Sequence, residues 1–202
     1  MPRITQQQKD LNRARIVAAA GERFRAGGID GVGIDALMGA AGMTHGGFYN
    51  HFGSKEDLAR DVFRQGFTDS LSEVDRMIAE HPNSAGGALQ AIVDSYVTTV
   101  HRDDPEHGCA SAALAADAAR HGVDTQAEYA RGLEGYLAAI TDLLLAEQPE
   151  NERDSARARS EAIALFSQMI GAVILARAVA QAAPELSDEI IASNHHRLVQ
   201  RR

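Results

Sequence analysis

Apolar residues recur along this chain at intervals of three and four rather than two, a period that predicts helices from end to end. Ile16, Ala20 and Phe24, with Val17 beside them, predict a first helix over residues 10–26, stopped by Gly27-Gly28. Two much shorter apolar stretches follow, residues 34–41 and 45–52, hinged at Ala41-Gly42-Met43. Isolated helices below roughly 12–15 residues are marginal in water, so these two persist only by packing on neighbours. Their arrangement reads as a helix-turn-helix, whose commonest task is to enter a DNA groove. Ser54, with Asp57 three residues on, predicts the cap of a fourth helix carrying Phe63, Phe67, Leu71, Val74 and Ile78 as far as His81-Pro82-Asn83.

Beyond that loop the same period predicts helices over residues 88–102, 106–120 (started by Pro105), 125–147, 154–182 and 185–200. There is no internal repeat and no low-complexity segment. The expected fold is therefore all-α with about nine helices: an N-terminal three-helix head over residues 1–53 and a helical body over residues 54–202.

Composition supports that reading, since 45% of the 202 residues are hydrophobic, aromatics are only 5% and tryptophan is absent. The net charge of −8 argues against nonspecific coating of nucleic acid, but it hides an asymmetry of +2 over residues 1–60 against −10 over the remainder. Arg3, Lys9, Arg13 and Arg15 stand against Asp10 alone in the first fifteen positions, as in a basic arm or a solvated tail. One cysteine, Cys109, leaves no internal disulfide framework and suits a reducing compartment. The first residues are polar and basic, and the apolar run over 162–183 is interrupted by Ser167, Gln168, Arg177 and Gln181. The expectation is a cytoplasmic chain with no membrane partner, no metal and no cofactor.

Ala41-Gly42-Met43-Thr44, Gly46, Phe48-Tyr49, His51-Phe52 and Lys55-Glu56-Asp57-Leu58 together resemble the signature of the tetracycline-repressor (TetR) family of bacterial regulators. The resemblance covers residues 10–60, and it implies a homodimeric DNA-binding repressor released from a palindromic operator when a small-molecule effector enters a ligand-binding and dimerisation body. The candidate DNA-binding residues are Thr44, His45, Gly46, Gly47, Tyr49, Asn50, His51 and Lys55. Thr44 suits an N-cap whose N–H groups face phosphate. Tandem glycines in so short a helix, each costing about 1 kcal/mol relative to alanine in a helix interior, imply close approach to the groove floor or tight packing against a neighbouring helix. Tyr49 can donate to phosphate, while His45, Asn50 and His51 offer base or phosphate contacts, with one of these four packed rather than reading. Phe48 and Phe52 are read as core. Lys55, one of two lysines in the chain, resembles the family's phosphate-binding lysine. Gly33 and Met38 depart from the commoner pattern, which has Ser or Thr at the first position and a small Ala at the second.

In the body, apolar residues surround the helix over 154–182 rather than striping it, which predicts burial on most sides. Ile163, Phe166, Ile170, Val173 and Ile174, with Ile190, Ile191 and Leu198 of the last helix, are the candidate dimer interface across a two-fold axis; an ordinary monomer core is the alternative. Phe67, Tyr96, Val100, Cys109, Tyr129, Leu133, Tyr136 and Phe166 are the candidate ligand-binding residues, suited to a neutral or aromatic effector, and equally to plain core. Cys109, at a helix start beside His107, is either a thiol sensor or a small buried hydrophobe; the surrounding run GCASAALAADAAR resembles family members that sense electrophiles or oxidants. Zinc held by His101, His107 and Cys109 fits no closed tetrahedral spacing, and a Cys109–His107 hydrolase lacks a recognisable oxyanion-stabilising pair.

Overall fold

The computed structural model describes residues 5–200, and the regular structure among them is helical throughout. The helices are α1 (Gln6–Gly27), α2 (Ile34–Ala40), α3 (Lys55–Glu80), α4 (Ala85–Tyr96), α5 (Thr99–Asp103), α6 (Ala110–Arg120), α7 (Val123–Ala146), α8 (Ser155–Val179) and α9 (Pro184–Val199). Two 3-10 segments, His45–Asn50 and Glu150–Glu152, complete the set. The all-α expectation holds, and three boundaries move for local reasons.

Helix α1 starts earlier than the apolar stripe indicates because Thr5 caps it, its hydroxyl accepting the Gln8 N–H at 3.2 Å. Lys9, Arg13 and Arg15 therefore stand on a helix rather than an arm, while Arg3 lies outside the described residues. The predicted helix over 88–102 is two helices. The chain leaves helical geometry at Val97 (φ −92°, ψ 71°) and restarts at Thr98, whose hydroxyl accepts the His101 N–H at 3.0 Å. Pro105 begins a turn, closed by the Gly108 N–H on its carbonyl at 3.2 Å, and α6 starts only after Cys109.

The chain folds as two compact units, Met1–Phe67 with Pro105–Ala130, and Thr68–Asp104 with Arg131–Arg202. That division differs from the expected one between residues 53 and 54: α6 belongs with the head, and α3 and α7 each contribute to both units. In the first unit Ile16, Phe24, Ile29, Leu37, Met38, Phe48, Leu58, Phe63 and Leu114 form a fully buried core. Polar bonds over long sequence separations pin α6 to it. The Asp117 carboxylate accepts the buried Ile29 N–H at 2.9 Å, and Gly28, which ends α1 at φ +74°, leaves the space that carboxylate occupies. Arg25 donates to the Glu106 carbonyl at 2.6 Å.

The second unit is built on α8, which packs against α9 and α5. Ala158, Ala162, Phe166, Met169, Val173 and Ala176 are buried, and the small residues among them admit close helix approach. The Ser187 hydroxyl donates to the Ala176 carbonyl at 2.8 Å, and Arg177 donates to the Arg102 carbonyl at 3.0 Å. Among the described residues α8 alone is long and apolar enough to cross a membrane by length and composition; 39% of its apolar window is buried, on the face toward α5 and α9, so the expected burial on most sides is not met within the chain.

The Asp117 pin gives a direct test. Asp117→Ala leaves a buried N–H unpaired and is expected to lower stability by about 1–3 kcal/mol, whereas Asp117→Asn keeps a carbonyl acceptor and loses less. Thermal denaturation of the two variants checks the order.

Candidate nucleic-acid interface

The head presents its reading edge by burying everything behind it. Gly42, at φ +70°, turns the chain between α2 and the first 3-10 segment, in the left-handed region that disfavours any side chain. The Met43 N–H reaches back to the Met38 carbonyl at 2.8 Å, and Arg15 donates to the Ala41 carbonyl at 3.2 Å, satisfying the end of α2. Arg13 lies 4.2 Å over the Phe52 ring, pairs with Asp61 at 2.6 Å and donates to the His51 carbonyl. Arg13 and Arg15 thus hold the head together, which corrects their reading as part of a basic arm.

The recognition segment His45–Asn50 is 3-10 rather than α-helical. Thr44 precedes it with extended backbone, and its carbonyl accepts the Gly47 N–H at 2.9 Å; its hydroxyl caps no N–H and is exposed. The expected side-chain cap is therefore replaced by the i to i+3 bond that closes a 3-10 turn. A Cβ on Gly46 would meet nothing within 4 Å, and one on Gly47 would meet the Met38 methyl at an ordinary 3.5 Å. Packing within the chain thus gives no reason for glycine at 46. At 47, the buried Met38, larger than the family's usual Ala, fills the space a side chain would share.

Tyr49 is 62% exposed, its ring standing edge-on to the buried Phe48 at 5.3 Å. His45 and Asn50 are also exposed. His51 is the packed member of the four. Its Nδ1 is buried without a hydrogen-bond partner among the described residues, and burial first, then the charges of Lys9 and Arg13, holds its pKa below the ordinary histidine value. Phe48 and Phe52 are core, as the spacing indicates. Lys55 opens α3 half-buried, its ammonium 5.9 Å from the Phe24 ring centroid, in a first turn capped by the Ser54 hydroxyl on the Asp57 N–H at 3.1 Å. The sequence reading missed Asp35, whose carboxylate lies 2.6 Å from His45 Nδ1. Ten residues separate the two, and no helical period joins them.

Residues 16–62 match the family model of bacterial regulatory proteins, tetR family. The match lies within the first unit and spans less than half of the chain. A curated relative, the uncharacterized HTH-type transcriptional regulator YfiR of Bacillus subtilis (strain 168), is 30% identical over 96 residues, covering 48% of this chain and 44% of that protein. The aligned part therefore spans less than half of that relative's length. A TetR transcriptional regulator from Legionella pneumophila shares the fold with a TM-score of 0.76 at 19% identity, covering 99% of this chain and 98% of that one. E. coli NemR in its reduced form does so at 0.73 and 18%, covering 93% and 94%.

The candidate ligand residues divide between the two units. In the first, Tyr129 meets Phe67 edge-on at 5.4 Å and Phe63 at 5.6 Å, and its hydroxyl donates to the Ser111 carbonyl at 3.0 Å. Burial, then Cys109, pushes its phenol up to about 12. Cys109 is itself buried, its Sγ 3.0 Å from the Ser111 hydroxyl, the setting of a packed thiol. In the second, Tyr136 stacks on Phe166 at 4.7 Å and Tyr96 abuts Phe166 at 6.1 Å, with Leu133 half-buried on α7. These rings fill their own space. Val100 is 77% exposed on α5. One cavity of the second unit, about 320 Å³, lies instead between α4, α7, α8 and α9, against Leu89, Val93, Leu144, Leu165 and Leu198, with Gln90, Glu147 and Glu161 also in its wall.

The candidate dimer set divides as well. Phe166, Val173, Ile191 and Leu198 are buried within the protomer, so they are not available to a partner. Ile163 (45% exposed) and Ile174 (38%) face outward, Ile170 and Ile190 are half-buried, and Leu175 and Leu186 join the exposed apolar surface unanticipated.

Glu56, in the first turn of α3, yields a pH prediction. The Thr125 hydroxyl first, and also His121 at 2.6 Å, hold its carboxyl below the usual glutamate range. A depressed carboxylate stabilises the fold near neutral pH, and that stabilisation is lost as pH falls through the folded-state value. Thr125→Val is therefore expected to lower the urea midpoint near neutrality and to lower it less in acid, measured by denaturation across that range.

Proposed function

We propose that this protein is a homodimeric repressor that reads a palindromic operator through the segment His45–Asn50 and is released by a small-molecule effector bound in its body. The observation that carries the reading is the exposed edge itself. His45, Tyr49 and Asn50 stand free of a head whose core is already complete, beside a Gly46 that nothing in the chain requires. The donors there suit phosphate and base edges: Tyr49 and Lys55 for the backbone, His45 and Asn50 for bases. Thr44, with its uncommitted hydroxyl, adds a phosphate donor, and Gly46-Gly47 lets the segment approach the groove floor.

Two heads must meet half-sites about 34–36 Å apart, so the reading requires a dimer. The outward apolar surface of α8, made by Ile163, Ile170, Ile174 and Leu175, with Ile190 of α9, is the face we assign to it; four such helices would bury that surface across a two-fold axis. For the effector, the cavity between α4, α7, α8 and α9, where Gln90, Glu147 and Glu161 stand among the leucines, is the site this reading uses, in a cytoplasmic protein that needs no cofactor. A coupling of about 1–3 kcal/mol between ligand and operator is enough for release.

Three substitutions separate the parts of this claim. Lys55→Ala should weaken binding to all sequences alike and reduce the salt dependence by about one phosphate contact per head. Gly46→Val should leave the melting temperature nearly unchanged while abolishing operator retention in a gel-shift assay; retained binding would remove the close-approach argument. Ile174→Asp should give monomers by sedimentation and weak, single-half-site binding.

A further inference from the structure

The cavity between α4, α7, α8 and α9 is walled in part by carboxylates that no cation answers among the described residues. We infer that its ligand is an amphiphilic organic cation, an ammonium-type head on an apolar body, in place of the neutral or aromatic effector expected from the sequence; the inference rests on the effector reading above. Leu89, Val93, Leu144, Leu165 and Leu198 supply the apolar wall, and the polar groups among them are Gln90, Glu147 and Glu161. Gln90 is half-buried, whereas both glutamates are exposed, so their carboxylates belong to the open side of the space. The volume of about 320 Å³ is at the lower end of the range for small-molecule clefts.

The surroundings fix the sign of the charge. No lysine, arginine or histidine lines the cavity. On the helices that wall it, Arg159 pairs with Glu134 at 2.5 Å and His195 with Asp94 at 2.7 Å. Neither Glu147 nor Glu161 forms an ion pair among the described residues, although Arg157 stands one helical turn before Glu161. Helix α7 ends against the cavity with Glu147 as the next residue, and its last turn carries no basic side chain. The carbonyl end of a helix holds partial negative charge, which favours a cation. The positive end of α4, at Gly86, is already met by the Ser84 hydroxyl, which accepts the Gly87 N–H at 3.0 Å. Helix α9 ends here too, with His196 and Arg197 in its last turn, and neither lines the cavity. An anionic ligand would set a further negative charge beside two carboxylates, and a neutral one would leave both unanswered. A cationic head at the glutamates with its hydrocarbon against the leucines satisfies both parts of the wall.

Three probes with the same decyl chain separate the classes: decyltrimethylammonium, decanol and decanoate, each titrated calorimetrically into the full-length protein and then assayed for operator release. Wild type should bind the ammonium probe about tenfold more tightly than the alcohol, with the carboxylate weakest. Glu147→Gln and Glu161→Gln should each weaken the ammonium probe about two- to fivefold, as loss of an exposed ion pair does, and leave the alcohol's affinity and the melting temperature unchanged. The double variant should bind ammonium and alcohol alike, and Leu89→Trp should weaken both, because they share the cavity. Decanol or decanoate binding as tightly as the ammonium probe, or an ammonium affinity untouched in the double variant, would overturn the inference. Ammonium binding that appears only after Arg201 and Arg202 are replaced by alanine would overturn it as well, because the chain's own basic end, which follows Val199 and Gln200, would then be the occupant. An ammonium probe that binds with the expected pattern but leaves operator retention unchanged supports the ligand class and overturns the effector reading instead.

Discussion

Two helical segments of seven and six residues keep their shape only because Leu37, Met38 and Phe48 are fully buried, with α2 packed on α1 and the 3-10 segment packed on α2. Neither segment is long enough to be helical alone, so every feature of the exposed edge His45–Asn50 depends on that burial. The arrangement is economical in side chains. With Phe48 and Phe52 turned inward, Tyr49, Asn50 and His45 are left outside, and Gly42 provides the tight turn that lets the second segment fold back.

The frame of the head extends well past the motif. Asp117 holds the α1–α2 loop through the Ile29 N–H, Arg25 holds the turn before α6 through the Glu106 carbonyl, and Glu56 meets both His121 and Thr125 at the α6–α7 corner. Arg64 adds a bond to Glu128 at 2.7 Å. These partners are 64 to 88 residues apart or thereabouts in the chain, and together they make α6 part of the unit that carries the reading edge.

Helix α8 shows how one apolar sequence supplies two surfaces. Phe166, Met169 and Val173 complete the second unit's own core, while Ile163 and Ile174 remain outside it. Composition alone could not separate these roles, because an apolar residue on one side of a helix is indistinguishable in sequence from one on the other until the neighbours are in place. The same holds for the aromatic residues of the body: Tyr96, Tyr136 and Phe166 pack on each other rather than around a space, and the cavity opens where leucines from four helices meet.

What the sequence by itself determined was local. The helical period, the stop at Gly28, the cap at Ser54 and the short motif with Phe48 and Phe52 inward follow from interactions within a few residues, and they were legible for that reason. Tertiary structure decided what depends on partners far apart in the chain: that Arg13 and Arg15 serve the fold, that His51 is packed while His45 is held by Asp35, and which side of α8 stays exposed. A side chain's chemistry is written in the sequence, but its availability is set by whatever the fold places against it.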